Sequence, residues 1–399
     1  MRILHTADWH IGCKSDDLSR LEEQKYLCKQ IVDIANNKQV DMVVIAGDIY
    51  DIFIPSAEAE KLVFDTLIAL SDNGNRAVVA VAGNHDEPKR FSNATVFSKN
   101  LNIYLVGDLN KVETSYLPDK KITAVGSGNG YIEFKTKSGE RAVVGTLPYP
   151  SHYRFNEIKK AGENFDDKFK EWLSPCISKF SKKSVNILIS HLLTYPHECT
   201  KAEFESYELV GGLNSFVDRK NLITSADYTA LGHIHQHIAI DKQHNIYYSS
   251  APINKFFNDD ISYKNVVKIV DIVAGQGVKK IEDVKLDTKQ LITQNVSGFD
   301  EAKQFLKVNL EKLVKLNFVD MDYVDPEKIR ELRKEFPNLI TVSVLPKIFK
   351  KSFKEISKKD LSTKEIFEKF IESKTGNKPD RELTSLFLEL MGEITYEAN

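Results

Sequence analysis

The chain has 399 residues, with 55 Lys and Arg against 57 Asp and Glu, for a formal charge of −2. The hydrophobic fraction of 42 % and charged fraction of 28 % are ordinary for a globular protein, and the length corresponds to two or three domains. A near-neutral charge excludes a uniformly basic nucleic-acid coat, though not a local basic groove.

The first half alternates short β-branched runs with amphipathic stretches. Arg2–Thr6, Met42–Ala46 and Ala77–Val81 read as strands. The first two are separated by a helical pattern carrying Leu18, Leu21, Leu27, Ile31 and Ile34, and the last two by Glu58–Leu70. This β-α-β-α-β order predicts an α/β sheet of parallel, buried strands. Further strands are predicted at Ile103–Val106, Ile122–Val125, Tyr131–Phe134, Ala142–Thr146, Val185–Ser190, Tyr228–Leu231, Ile246–Ser249, Val266–Ile272 and Val278–Val284. So many strands with few long helices point to a large sandwich with flanking helices.

The pattern changes near Leu286. A small α/β block follows: a strand at Leu291–Val296, a helix capped by Ser297 with Asp300 and carrying Phe305, Leu306, Leu310 and Leu313, then a strand at Phe318–Val324. Asp325-Pro326 opens a second helix to about Phe336, and Leu339–Leu345 closes the block. The expected boundaries are 1–285, 286–346, a lysine-rich linker at 347–359 and a helical tail at 360–399. In the tail, Ser362 and Glu365 fit a capping box before Ile366, Phe367, Phe370 and Ile371, and Leu383, Leu386, Phe387, Leu390, Met391 and Ile394 form a second apolar stripe. Such a stripe packs on its own chain or on a helical partner.

Four cysteines, Cys13, Cys28, Cys176 and Cys199, include no C-x-x-C pair and give no disulfide framework, so they read as reduced thiols of a cytosolic protein. The longest apolar runs are strand-length, so no membrane contact is expected. Met1–Asp8 reaches a carboxylate without an apolar core and reads as a strand, not a signal peptide.

Polar residues with metal-binding chemistry cluster at five predicted strand ends: Asp8-Trp9-His10, Gly47-Asp48-Ile49-Tyr50-Asp51, Gly83-Asn84-His85-Asp86, His191, and Gly232-His233-Ile234-His235. Ligands gather outside the carboxyl ends of strands in α/β sheets. Side chains two apart in an extended segment share a face, so Asp8 with His10, and His233 with His235, can converge. Mixed imidazole, carboxylate and amide donors suit manganese, iron or zinc better than calcium. Asp8, His10, Asp48, Asn84, His191, His233 and His235 are enough for two ions sharing one carboxylate, the arrangement that clamps a phosphoryl displacement. Taken singly, each piece is also what an ordinary turn residue or hydrogen-bonded loop histidine looks like.

Together, D-x-H, G-D-x-x-D, G-N-H-D, a lone strand-end His and G-H-x-H resemble the calcineurin-like metallophosphoesterase superfamily. His5–Gly12, Gly47–Asp51, Leu147-Pro148-Tyr149 and Val210-Gly211-Gly212-Leu213 are similar to the SbcD family, the nuclease subunits of SbcCD complexes. The motifs cover residues 1 to about 260. The resemblance implies a four-layer α-β-β-α phosphoesterase domain at 1–285, a small α/β capping domain at 286–346 that contacts DNA, and tail helices that bind an SbcC-like SMC/ABC ATPase. It implies manganese-dependent exonuclease and endonuclease activity at double-strand ends and hairpins, in DNA repair and recombination, within a cytoplasmic, nucleoid-associated heterotetramer containing a homodimer of this chain. Asp8, His10, Asp48 and His235 would hold one manganese and Asp48, Asn84, His191 and His233 the other. His85 would sit over the scissile phosphate and stabilise or protonate the leaving oxygen, oriented by Asp86. The sequence has no G-x-x-x-x-G-K-[ST], so ATP hydrolysis would come from the partner.

The competing function is a small-molecule phosphoesterase acting on cyclic nucleotides or nucleotides, whose members are usually shorter. Gly126–Gly130 reads as a hairpin turn, and His197 and Cys199 as loop residues. Asp51 is expected to brace its loop, and His5 to pack within the sheet. Lys14, Lys89 and Arg90 follow the metal motifs and are candidate DNA phosphate contacts, with solvated loop charge as the alternative.

Overall fold

A computed structural model describes residues 1–15, 18–155, 157, 164–196, 216–255, 257, 264–321, 323–345, 363–375, 378–380, 383–385 and 387. The segment Val210–Leu213, His197, Cys199, the lysine-rich linker 347–359, Ser362 and the stripe residues Leu386, Leu390, Met391 and Ile394 lie outside the described residues.

The strands of the first sheet are Arg2–Thr6 (β1), Met42–Ala46 (β4), Ala77–Val81 (β5), Ile103–Val106 (β6), Val266–Val273 (β14) and Gly277–Lys285 (β15), in the order β15-β14-β1-β4-β5-β6. A hairpin of Lys14–Ser15 (β2) and Leu18–Ser19 (β3) leads into Leu21–Asn37 (α1). Strands β1, β4, β5 and β6 run parallel, and β14 and β15 extend the sheet antiparallel. The parallel core follows from its connections, α1, Ala57–Leu70 (α2) and Pro88–Ser98 (α3), because a parallel pair needs a crossover.

The second sheet contains Ile122–Gly128 (β7), Tyr131–Thr136 (β8), Arg141–Leu147 (β9), Val185–His191 (β10), Tyr228–Gly232 (β11), Ile238–Asp241 (β12) and Ile246–Tyr248 (β13), in the order β12-β13-β11-β10-β9-β8-β7. Phe165–Ile177 (α4) covers its outer face with Phe169, Trp172, Leu173 and Cys176.

Strand β4 shows why the sheets stack. All five of its residues are buried. Val43 and Ile45 face the helix layer with Leu27, Ile31, Val63 and Leu67, while Met42, Val44 and Ala46 face the second sheet with Val144, Ile187, Ile189 and Ala230. A strand apolar on both faces must be covered twice, and each such side chain contributes about 1.5–3 kcal/mol on burial. The result is the four-layer α-β-β-α architecture.

Leu291–Val296 (β16), Leu313–Val319 (β17) and Leu339–Leu345 (β18) form a separate three-stranded sheet. One face packs on Phe299–Lys307 (α5) and Pro326–Glu335 (α6) through Leu306, Leu316, Phe318, Leu332 and Phe336. On the other, Leu291, Leu313 and Ile340 meet Phe257. The chain divides into two compact units, Met1–Val344 and Leu345–Asn399. In the second, Thr363–Thr375 (α7) is helical and the Phe367 and Phe387 rings stack at 4.0 Å.

Several elements differ from the sequence expectation. Leu18 lies in β3, 40 % exposed, and α1 begins three residues later. Leu313 opens β17 instead of ending a helix, because Leu313–Val319 alternates with period two and pairs in parallel with β16. Leu310 is 59 % exposed between the two. Ser297 does contact an acid, but it is Glu301, through Ser297 N and Oγ, and Gly298 is the residue that precedes the helix. Helices α3 and α4 have no counterpart in the sequence expectation. Residues 126–130 do form a hairpin, with β7 and β8 paired through Gly128 and Tyr131.

Candidate metal centre

The site lies where the carboxyl ends of β1, β4 and β5 face those of β10 and β11. Beyond their strands the first two loops stay paired: the amides of Asp8, His10 and Ile11 donate to the carbonyls of Gly47, Asp48 and Ile49 at 2.9, 2.9 and 2.8 Å. Asp8, His10, Asp48 and His233 have positive φ of 55°, 46°, 50° and 108°. The two-residue spacing therefore does not act through extended backbone. The candidate ligands themselves carry left-handed turns, a conformation that costs about 1–3 kcal/mol each and concentrates at functional sites.

Asp48 lies at the middle. Its Oδ1 accepts from the His85 amide at 2.8 Å, which leaves Oδ2 3.4 Å from His191 Nε2 and 3.6 Å from His10 Nε2. On one side, His10 Nε2 is 3.1 Å from His235 Nε2, and Asp8 joins these two within metal-binding range. On the other, Asn84 Oδ1 is 3.0 Å from both His191 Nε2 and His233 Nδ1, and those two nitrogens are 3.3 Å apart. The structure thus brings together all seven sequence-named donors in two groups that meet at Asp48.

Neighbouring groups fix which ring nitrogen faces inward. His191 Nδ1 lies 2.8 Å from the Ala46 carbonyl, which commits that nitrogen as donor and turns Nε2 to the site. His10 Nδ1 faces the Asp51 carboxylate at 3.4 Å, and Lys255 Nζ pairs with the same oxygen at 2.6 Å. Asp51 therefore braces a ligand as well as its own loop. His85 Nδ1 lies 2.6 Å from the Asp51 carbonyl.

That last contact corrects the role given to Asp86. Its carboxylate accepts from the amides of Ile49, Tyr50 and Gly83 at 3.2, 2.9 and 2.8 Å, whereas His85 Nδ1 is taken by the Asp51 carbonyl. Asp86 ties the β4 and β5 loops together, and the orientation of His85 comes from Asp51. The physical reason is local: Asp86 is fully buried against orphan backbone donors, which a carboxylate satisfies better than one imidazole could. Of the proposed phosphate contacts, Lys14 and Lys89 are exposed, and the exposed Arg90 pairs with Glu60 of α2.

Charge is arranged around the same centre. Burial pushes the Asp8 carboxyl up. Burial also opposes ionisation of Asp48, but the His191, His10 and His85 rings outweigh it and hold that carboxyl well below the usual range. Burial lowers the basicity of His191, yet Asp48 and then Asp8 raise it to about 9. His233 falls to about 3 through burial and the neighbouring His191, and His235 falls through burial, His10 and Lys255. His233 and His235 are thus held neutral, the form a metal ligand needs.

The residues fit a pair of divalent cations. Asp8 Oδ2 is buried without a hydrogen-bond partner. Imidazole nitrogens, an amide oxygen and carboxylate oxygens face one another at 3.0–3.6 Å across the centre. Such mixed N and O donors match borderline cations.

Sequence reasoning missed Arg154, Tyr149 and Lys255. Lys255 follows the β13 strand end and reaches Asp51 across the fold. In the sequence Tyr149 stands out only as part of a family landmark, yet its ring lies 6.2 Å from His191 and 6.0 Å from His233.

Residues 1–237 match the calcineurin-like phosphoesterase family. The whole chain is 32 % identical over 409 positions to the SbcD component of the nuclease SbcCD from Bacillus subtilis, covering 99 % of that protein. The SbcD components from Staphylococcus epidermidis and Staphylococcus saprophyticus are 25 % and 26 % identical, each over 94 % of both chains. With donors suited to divalent metals gathered at the strand ends, the chain belongs to the calcineurin-like phosphoesterase family, as a metal-dependent phosphodiesterase of the SbcD type.

Proposed function

We propose that this chain is the manganese-dependent nuclease component of a cytoplasmic, nucleoid-associated complex with an SMC-like ATPase, cutting DNA at double-strand ends and hairpins in repair and recombination. The observation that carries the reading is Asp48, placed between two donor groups with His85 bonded to it through the backbone. Asp8, His10, Asp48 and His235 would hold one ion and Asp48, Asn84, His191 and His233 the other. Two divalent ions held there would supply Lewis-acid activation of water and neutralise charge developing on a phosphodiester. His85 keeps Nδ1 on the Asp51 carbonyl and so presents Nε2 to the scissile phosphate, where it steadies the leaving oxygen or gives it a proton. Asp51 and Lys255 hold the His10 ring, and Asp86 holds the β4 and β5 loops at fixed spacing.

The surroundings supply the remaining parts. Residues 286–346 act as the capping domain: the face of β16 and β17 opposite α5 and α6 presents Thr293, Asn295, Lys315 and Asn317, groups that hydrogen-bond phosphates and sugars. Lys14 and Lys89 add charge beside the metal loops. Phe64 and Ile68 on α2, with Val96 and Phe97 on α3, are 37 %, 47 %, 52 % and 86 % exposed and form the homodimer surface of the heterotetramer. The tail at 360–399 binds the ATPase.

The test is cleavage of linear and hairpin DNA with manganese, with chelator, and with Asp48→Ala or His85→Ala. Manganese-dependent cleavage lost in both variants supports the reading. Hydrolysis of cyclic nucleotides with intact DNA, alone and with the ATPase, would replace it with the small-molecule alternative. Deleting residues 360–399 should abolish ATPase binding and spare hydrolysis of a small phosphodiester.

A further inference from the structure

The loop carrying Asn84 and His85 is held along both edges of its backbone. On the amide edge, Gly83 donates to Asp86 Oδ2 and His85 to Asp48 Oδ1, both at 2.8 Å. On the carbonyl edge, every second residue is engaged from one segment, Tyr149–Arg154. The Tyr149 amide donates to Ala82 at 2.9 Å, and the Arg154 guanidinium donates through its two terminal nitrogens to Asn84 at 2.7 Å and Asp86 at 2.5 Å. The two carbonyls that Arg154 takes are those flanking His85.

Arg154 is itself fixed. It is only 6 % exposed, and its amide donates to Ser151 Oγ at 3.2 Å in a tight turn. Its guanidinium lies over the Phe53 ring at 5.3 Å and the Tyr149 ring at 5.9 Å. A buried guanidinium with two carbonyls at one end and aromatic faces on its plane has almost no rotational freedom, and its rigid fork sets the spacing of whatever it binds.

We propose that Arg154 is the positioning residue of the metal centre: it sets the spacing of the Asn84 and Asp86 carbonyls and through them the placement of the Asn84 ligand and the His85 ring. The role depends on the fork as well as on the charge. Lysine keeps a cation and an apolar stem but offers one point donor, which cannot hold both carbonyls at a fixed separation. The inference rests on the phosphodiesterase reading for its kinetic arm only.

The experiment compares wild type, Arg154→Lys and Arg154→Ala by manganese titration followed by electron paramagnetic resonance, by hydrolysis of bis(p-nitrophenyl) phosphate at saturating manganese, and by thermal unfolding. Outer-shell partners of metal sites are worth about 10–100-fold in affinity or activity. Arg154→Lys is expected to unfold near the wild-type temperature, to bind the weaker manganese about tenfold less tightly, and to lose kcat by about the same factor with KM nearly unchanged. Arg154→Ala is expected to lose more of both. Wild-type manganese affinity and kcat in Arg154→Lys would overturn the proposal, because charge alone would then suffice. So would losses in both variants that vanish on cooling below their unfolding transitions. If wild type binds two manganese ions but hydrolyses no phosphodiester, the activity reading fails while the binding comparison still decides the role of Arg154.

Discussion

Among the described residues, the carboxylates of the centre come from the first sheet, whereas the second sheet contributes imidazoles, His191, His233 and His235. The first-sheet loops carry left-handed residues and dense bracing by Asp86, Asp51 and Arg154. On the second sheet, His191 needs no loop, since it is the last residue of its strand. Neither sheet alone holds a complete set of donors, so the centre exists only while the sheets are stacked in register. The contact is close. A Cβ on Gly47, where φ is +87°, would fall 2.3 Å from His191 Nδ1, and one on Gly232 would fall 1.9 Å from the Ala46 carbonyl. Metal binding and sheet stacking are therefore linked.

The comparison is broken most sharply by Asp48→Asn, which removes the acid shared by both groups. Hydrolysis of a small phosphodiester is expected to fall by about 10³-fold or more, since the ions supply several kcal/mol to the transition state, and manganese binding should weaken with it. His85→Ala separates chemistry from binding: kcat is expected to fall by about 10²-fold, at the lower end for loss of a positioned acid, while metal stoichiometry stays unchanged. Chelation tests the linkage between the sheets. Ligand at 100 times its Kd stabilises a fold by about 2.7 kcal/mol, so removing manganese should lower Tm by several degrees, and Asp48→Asn should abolish most of that difference.

The smallest effect concerns the metal-free protein. Burial works against protonation of His191, but Asp48 and Asp8 raise its pKa to about 9. A raised basic group stabilises the fold fully below its unfolded value and ceases to do so as pH rises through the folded value. In chelator, the Tm of wild type should fall between about pH 6.5 and 9, and His191→Gln should flatten that slope.

What could be read from sequence followed the same division. The seven donors were legible because metal chemistry dictates side-chain type, and strand ends dictate place. Arg154 was not, because it acts on backbone carbonyls nearly seventy residues away, and a carbonyl has no residue signature. The role of Asp86 was hidden for a related reason: its partners are amides, not the imidazole beside it in sequence. The parallel core was visible in runs such as Met42–Ala46, while α3 was masked by weakly periodic sequence; α4 carries a regular apolar stripe, Phe169, Trp172, Leu173 and Cys176, but Pro175 within it argues against a helix. At β17, Leu313 fitted the end of one periodicity and the start of another, and pairing with β16 decided between them.

The central claim is that Asp48 joins donors from both sheets into one dinuclear centre. Electron paramagnetic resonance of the manganese-titrated protein tests it directly. Two manganese ions per chain with the signature of spin coupling, lost in Asp48→Asn, is the result the account predicts. A single uncoupled ion in wild type, or a coupled pair that survives Asp48→Asn, would contradict it.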